Sequence, residues 1–109
     1  MEERMTKYEF AAEIQDIKTT WHKIYRVMNN ELLRQKHEKE LAEAVTTVYK
    51  QLRAIELDGH DLNEIWTQNP VPNEEPWEAL HRRTDWLIDQ YEALSDKLIA
   101  AALREAELM

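Results

Sequence analysis

Five carboxylates recur in the C-terminal half of the chain at spacings that a helix would bring onto one edge. They are Glu78, Asp85, Asp89, Glu92 and Asp96, separated by 7, 4, 3 and 4 residues. In a helix, residues three, four or seven apart lie above one another, and we call this set the acidic ridge. Like charges at this spacing cost roughly a few tenths of a kcal/mol per pair. The ridge is therefore either a solvated outer face or a docking strip for a basic protein.

Three further residues extend this candidate partner-binding site. Glu74 and Glu75 precede the ridge, within a stretch from Asp58 to Glu78 that holds six acids and no Lys or Arg. Trp86 lies beside the ridge and has alanines at helical spacing above and below it. A tryptophan exposed among small residues is a good interface anchor, and the alternative is that another helix of the bundle covers it. Outward carboxylates on one helix lack the convergent geometry of a Ca²⁺ or Mg²⁺ site.

Two short motifs match half of a metal-binding signature. Glu78-x-x-His81 fits one half of the Glu-x-x-His pattern of ferritin-like di-iron bundles, but no other histidine has Glu three residues before it. Glu40-x-x-Glu43 fits half of the acidic signature of all-α nucleotide pyrophosphatases, and the downstream Glu-x-x-Asp is missing. Both are interpreted as chance matches in a Glu-rich helical chain. A small all-α metal-dependent nucleotide hydrolase stays as an alternative function.

Residues for covalent catalysis are scarce. The chain has one serine, Ser95, one glycine, Gly59, and no cysteine. A single glycine rules out a glycine-rich phosphate loop, and the lack of cysteine rules out thiol catalysis, disulfides and cysteine-type zinc sites. The four histidines lie at predicted polar positions. We therefore expect no catalytic residue, no metal ligand and no cofactor, and a protein that is not an enzyme.

The charge is divided unevenly along the chain. Residues 1–57 hold ten Lys/Arg and ten Asp/Glu, whereas residues 58–109 hold four and twelve, so the second part carries the whole net charge of −8. Residues 18–39 carry a local charge of +4. An acidic half repels DNA phosphates. The expected partner is a protein with a basic surface, and direct nucleic-acid binding is not expected.

The N-terminal residues and the hydropathy favour a cytoplasmic protein. The start, MEERMTKYEF, contains acids and no apolar run, unlike a signal peptide. No apolar segment approaches the ~18 residues of a membrane span. No membrane association is expected.

Two apolar stripes predict the first two helices. Thr6 and Glu9 form a capping-box pattern before a helix over 7–29, and a second helix is predicted over 31–57. Asn29–Asn30 suits a turn between them, with a turn at 36–39 or one continuous helix as the alternatives. The stripes follow spacings of 4 and 3 and consist of Phe10, Ile14, Ile17, Trp21, Ile24 and Met28, then Leu41, Val45, Val48, Leu52 and Ile55.

Two helices are predicted in the second half. Gly59 is the expected stop of the second helix, since glycine tolerates the left-handed conformation. A short helix over 62–68 follows, and prolines end it. The longest helix is predicted over 74–107, with a heptad stripe of the coiled-coil type. Its members are Trp77, Leu80, Thr84, Leu87, Tyr91, Leu94, Leu98 and Ala101.

The predicted fold is a single all-α domain over 1–109, an antiparallel bundle of three long helices plus one short connecting helix. The end of the last helix is apolar nearly all round, which predicts oligomer contacts through Leu98, Ile99, Ala102 and Leu103. The first functional hypothesis is a small acidic adaptor or inhibitor that binds a protein, including one that competes with nucleic acid for a basic groove of its target. The alternatives are a self-assembling structural homodimer and the nucleotide hydrolase.

Overall fold

The regular secondary structure is helical throughout the part of the chain that the computed structural model describes, residues 4–68 and 76–108. This confirms the all-α class. The helices are α1 Lys7–Met28, α2 Glu31–Lys36, α3 Glu38–Ala54, α4 Asn63–Gln68 and α5 Pro76–Leu108. None of these helices is both long enough and apolar enough to cross a bilayer.

Local side chains cap the start of α1 and the start of α2. The Thr6 hydroxyl accepts from the Glu9 N–H at 3.2 Å, and the Glu9 carboxylate accepts from the Thr6 N–H at 3.2 Å, which completes the predicted capping box. At the other end Asn29 follows the last residue of α1, and the Asn30 side chain accepts from the Leu33 N–H at 3.2 Å. The turn predicted at 29–31 is therefore present.

The second predicted helix, 31–57, is divided at His37. This residue has φ −114° and ψ 27°, and it separates α2 from α3. Helix α2 buries no side chain, and Leu32 is 79% exposed. Because no residue of α2 is buried, the buried stripe of α3 does not continue through α2. The helix is therefore interrupted at both predicted positions, 29–31 and 36–39, which the sequence analysis gave as alternatives.

Helix α3 ends at Ala54, three residues earlier than predicted, and Gly59 is not its stop. The next residues are extended and pair with the start of the chain, where the Met5 N–H donates to the Glu56 carbonyl at 2.8 Å. Leu57 is 2% exposed, so this extended segment contributes to the core. Gly59 has φ +79° and occupies the turn that follows.

The contacts of α1 give the directions of the long helices. The residue before α1 pairs with the segment after α3, so α1 and α3 are antiparallel. Trp21 meets Asp85, and Lys18, earlier in α1, meets Glu92, later in α5. Helix α1 is thus antiparallel to both α3 and α5, and these two run parallel to each other. Helix α5 therefore has one antiparallel and one parallel neighbour among the long helices.

Helix α5 lies between α1 on one side and α3 with α4 on the other. The predicted stripes of α1 and α3 are buried except for Met28, which is half-buried. Helix α5 adds Tyr91, whose ring lies 5.7 Å from that of Phe10. Neighbours on two sides bury more of α5 than one heptad stripe. The additional buried residues of α5 are Ala79, His81, Arg83, Ile88 and Ser95.

Candidate functional site

The acidic ridge lies along the edge of α5 that borders α1. Glu78, Asp89 and Asp96 are exposed, whereas Asp85 and Glu92 are half-buried. The expectation that all five carboxylates face away from the bundle is therefore wrong for Asp85 and Glu92. Their burial follows from the position of α1, which approaches this side of α5 and not only its central stripe.

Two residues of α1 hold the two half-buried carboxylates. The Trp21 indole N–H donates to Asp85 Oδ1 at 3.0 Å. The Lys18 ammonium forms an ion pair with Glu92 Oε2 at 2.6 Å, and this contact raises the pKa of Lys18. A carboxylate whose position is fixed by a donor loses less conformational freedom when it binds a second cation.

The pKa of Asp89 reflects the nearby negative charges of the ridge. Partial burial of its carboxylate beside α1, and then repulsion from Asp85 and Glu92, raise the pKa of Asp89, while Lys18 lowers it. Asp85 and Glu92 thus make ionisation of Asp89 less favourable. A cationic group docked on the ridge would relieve this repulsion.

A buried histidine lies at the end of the ridge near the start of α5. His81 is 8% exposed and stacks on Trp21 at 4.7 Å between ring centroids, with Tyr25 edge-on at 5.2 Å. Burial lowers the pKa of His81, Asp85 opposes this, and Arg82 adds to it. Within the described residues its Nε2 has no hydrogen-bond partner. The prediction that every histidine is solvated is wrong here, because α1 packs over this face of α5.

Trp86 is half-buried and packs against the core. The centre of its ring lies 5.9 Å from the Arg83 guanidinium, which is itself buried and donates to the Trp66 carbonyl at 2.6 Å. Part of the indole therefore has a structural role, and part stays open to a partner. Glu74 and Glu75, the other predicted additions to the ridge, lie outside the described residues.

The residues predicted for oligomer contact lie near the end of α5. Leu98, Ile99 and Ala102 are half-buried, and Leu103 is 61% exposed. Helix α5 has 33 residues and α1 has 22, so α5 is the longer by three turns. The apolar face of this segment is only partly covered by its own chain.

The half-motif of the hydrolase alternative is solvent-exposed on α3. Glu40 and Glu43 both lie at exposed positions. Across residues 4–68 and 76–108, no three His, Asp or Glu side chains are arranged so that they could hold a metal ion. Glu78 and His81 also differ in environment, since the first is exposed and the second buried.

Comparisons with protein-family models, with curated proteins and with solved structures gave no match. The function is therefore argued from the residues of this chain. Its fold and candidate site define a small helical protein with one acidic edge, part of which is fixed by the neighbouring helix.

Proposed function

We propose that this chain is a non-enzymatic protein-binding module that docks its acidic ridge on a basic surface of a partner protein. The observation that carries the proposal is the anchoring of Asp85 by Trp21 and of Glu92 by Lys18. A solvated row of carboxylates needs no such contacts. Anchored carboxylates present a defined pattern, and a defined pattern favours recognition of one partner over others.

The length and charge of the ridge suit a partner that also binds nucleic acid. From Asp85 to Asp96 the helix rises roughly 16 Å at 1.5 Å per residue. Four carboxylates over this length, one of them paired with Lys18, give one carboxylate per roughly 5 Å, compared with one phosphate per ~3.4 Å along a DNA strand. A groove lined with Lys and Arg for phosphates would therefore accept the ridge. On this basis we infer an adaptor or inhibitor that competes with nucleic acid for a basic groove of its target.

The structure indicates which carboxylates to change in a test. Asp89 and Asp96 are exposed, so their reversal removes neither partner of the Trp21–Asp85 and Lys18–Glu92 contacts. A matched control is Glu40→Lys/Glu43→Lys on α3, which alters the net charge equally at two exposed positions. The partner is isolated by affinity capture from the native host, purified, and its affinity measured by biolayer interferometry.

The expected result is at least about tenfold weaker binding by Asp89→Lys/Asp96→Lys, with the Glu40/Glu43 control unchanged. Added salt should weaken binding to the unmodified protein, because exposed charges are screened. Nucleic acid should compete for a partner that binds it. Equal loss in both variants, or full binding after reversal of the ridge, would show that the ridge is not the docking surface.

The second candidate function is a homodimer formed through the end of α5. It is supported by the 61% exposure of Leu103 on a segment that also contains Leu98, Ile99 and Ala102. Sedimentation equilibrium over a wide concentration range tests it directly. A concentration-dependent dimer that Leu103→Glu abolishes would support this candidate, and a strict monomer would remove it.

A further inference from the structure

A cavity lies between the end of α3 and α4, formed by residues other than those of the ridge. Its volume is about 530 Å³, within the ~300–1,000 Å³ typical of small-molecule sites. Its walls include the buried side chains of Ile55, Leu57, Leu62 and Trp66. Polar groups surround this apolar floor, with Arg53 on α3 and His60, Asp61 and Asn63 near the start of α4.

Arg53 and Arg4 are the two cationic side chains that line this cavity, and Arg53 lies against its apolar floor. Its guanidinium lies 4.7 Å from the centre of the Trp66 ring, a cation–π distance. The side chain is exposed, and within the described residues no carboxylate forms an ion pair with it. A guanidinium held against a ring keeps N–H donors at its edge, in the geometry that binds a carboxylate or phosphate in a bidentate manner.

A second guanidinium contacts the same indole. Arg83 lies 5.8 Å from the centre of the Trp66 ring and is 4% exposed. Its Nε and Nη1 groups find no hydrogen-bond partner within the described residues. Burial lowers the pKa of Arg83, Tyr49 opposes this, and Arg53 lowers it further. Two guanidinium groups thus lie against one ring, although the chain as a whole carries a net charge of −8.

The two carboxylates at the rim of the cavity already have partners. Glu56 lies 3.9 Å from the Arg4 guanidinium. Asp61 accepts from the Asn63 N–H at 2.9 Å. Of the two guanidinium groups that line the cavity, Arg4 pairs with Glu56, and Arg53 is the one without an ionic partner within the described residues.

We propose that this cavity binds a small ligand that carries a carboxylate or a phosphate on a flat apolar body. The anionic group bonds to the Arg53 guanidinium, and the apolar body covers Leu62 and the edge of the Trp66 ring. This burial adds to the bidentate contact, because apolar surface of both molecules leaves water. The site is separate from the acidic ridge, so the failure of one proposal leaves the other intact.

Gly59 provides a reporter for this site, and the Arg53 variants separate binding here from binding in a neighbouring pocket that Gly59 also lines. It lines the cavity and is the single glycine of the chain. Protein labelled with ¹⁵N-glycine therefore gives one amide cross-peak in a heteronuclear NMR spectrum. The probes are benzoate for the carboxylate, phenyl phosphate for the phosphate, and benzyl alcohol as a neutral molecule of similar shape.

The expected result is a saturable shift of the Gly59 peak with benzoate or phenyl phosphate and none with benzyl alcohol. The anion that binds more tightly identifies the chemical class of the ligand. Arg53→Gln should weaken this binding at least about tenfold, since it removes the charge-assisted contact. Arg53→Lys keeps the charge and loses the planar fork. Its affinity for the anion should therefore lie between that of the unmodified protein and that of Arg53→Gln.

Lys50→Gln is the matched control, because Lys50 is exposed on the same helix and does not line the cavity. It removes the same charge and should leave the binding of both anions unchanged. The absence of any shift with either anion would overturn the proposal. So would an equal shift with benzyl alcohol, or affinity that Arg53→Gln leaves intact in a variant with unchanged circular dichroism.

Discussion

Replacement of Tyr91 by Phe tests the hydrogen bonds that join α3, α4 and α5. The Trp66 indole N–H donates to the Tyr91 hydroxyl at 2.7 Å, and this hydroxyl donates to the Leu52 carbonyl at 3.1 Å. Tyr91 is fully buried. Burial raises the pKa of Tyr91, while Trp66 and Arg53 lower it, so the hydroxyl keeps the proton that it donates.

The two hydrogen-bond partners of this hydroxyl contribute different amounts to the loss of stability in Tyr91→Phe. The indole N–H of Trp66 is left buried without an acceptor, which costs about 1–3 kcal/mol. The Leu52 carbonyl still accepts from the Ile55 N–H at 3.3 Å, so its loss is that of one ordinary hydrogen bond, about 0.5–1.5 kcal/mol. The free energy of unfolding should fall by roughly 2–4 kcal/mol, a large part of the ~5–15 kcal/mol typical of a domain.

Urea unfolding followed by circular dichroism measures this change. Tyr8→Phe is the matched control, since Tyr8 is 62% exposed and its replacement should change stability by less than about 0.5 kcal/mol. Trp66→Phe should also cost less in the Tyr91→Phe background than in the unmodified protein, because the two side chains share one bond. A loss below about 0.5 kcal/mol in Tyr91→Phe would refute the role given to this hydroxyl.

Two further predictions concern the burial of single side chains. Burial holds the pKa of His81 below its ordinary 6.5, so the unfolded chain binds this proton more readily. The contribution of neutral His81 to the free energy of unfolding is therefore complete above about pH 6.5, and it declines as the pH falls toward the lowered pKa. Urea midpoints between about pH 5 and 7.5 should therefore fall as the pH falls. His81→Phe should reduce this pH dependence, whereas the control His22→Phe, at an exposed position, should leave it unchanged. Leu87→Ala, at a fully buried site, should lower the free energy of unfolding by about 2–5 kcal/mol. Leu103→Ala, at a 61% exposed site, should change it by less than about 0.5 kcal/mol, and similar losses in both would contradict the assigned core.

Much of the helical structure follows from interactions that span four residues or fewer. The Thr6–Glu9 capping box and the Asn29–Asn30 turn are local, and so they were predictable from the residue types. The stripes of α1 and α3 were also predictable, because a helix repeats every 3.6 residues whatever it packs against. The acidic ridge is a pattern of the same kind, and its members share one edge of α5 as their spacing requires.

These patterns do not predict interactions between residues that are far apart in the sequence. Trp21 and Asp85 lie 64 residues apart in the sequence, and no local spacing predicts that an indole of α1 holds a carboxylate of the ridge. The early end of α3 likewise depends on a contact with Met5, which offers backbone partners to the extended residues around Glu56.

The candidate sites therefore divide by the range of the interactions that form them. Composition and spacing alone define an acidic, helical chain with a row of carboxylates and few residues for catalysis. Packing of α5 against its neighbours decides which carboxylates are anchored and buries His81 and Arg83 at positions that look polar. The position of α4 beside the end of α3 brings Arg53 onto Trp66. The reason is geometric, since helical periodicity fixes which face a residue occupies, and only the arrangement of all helices determines what that face meets.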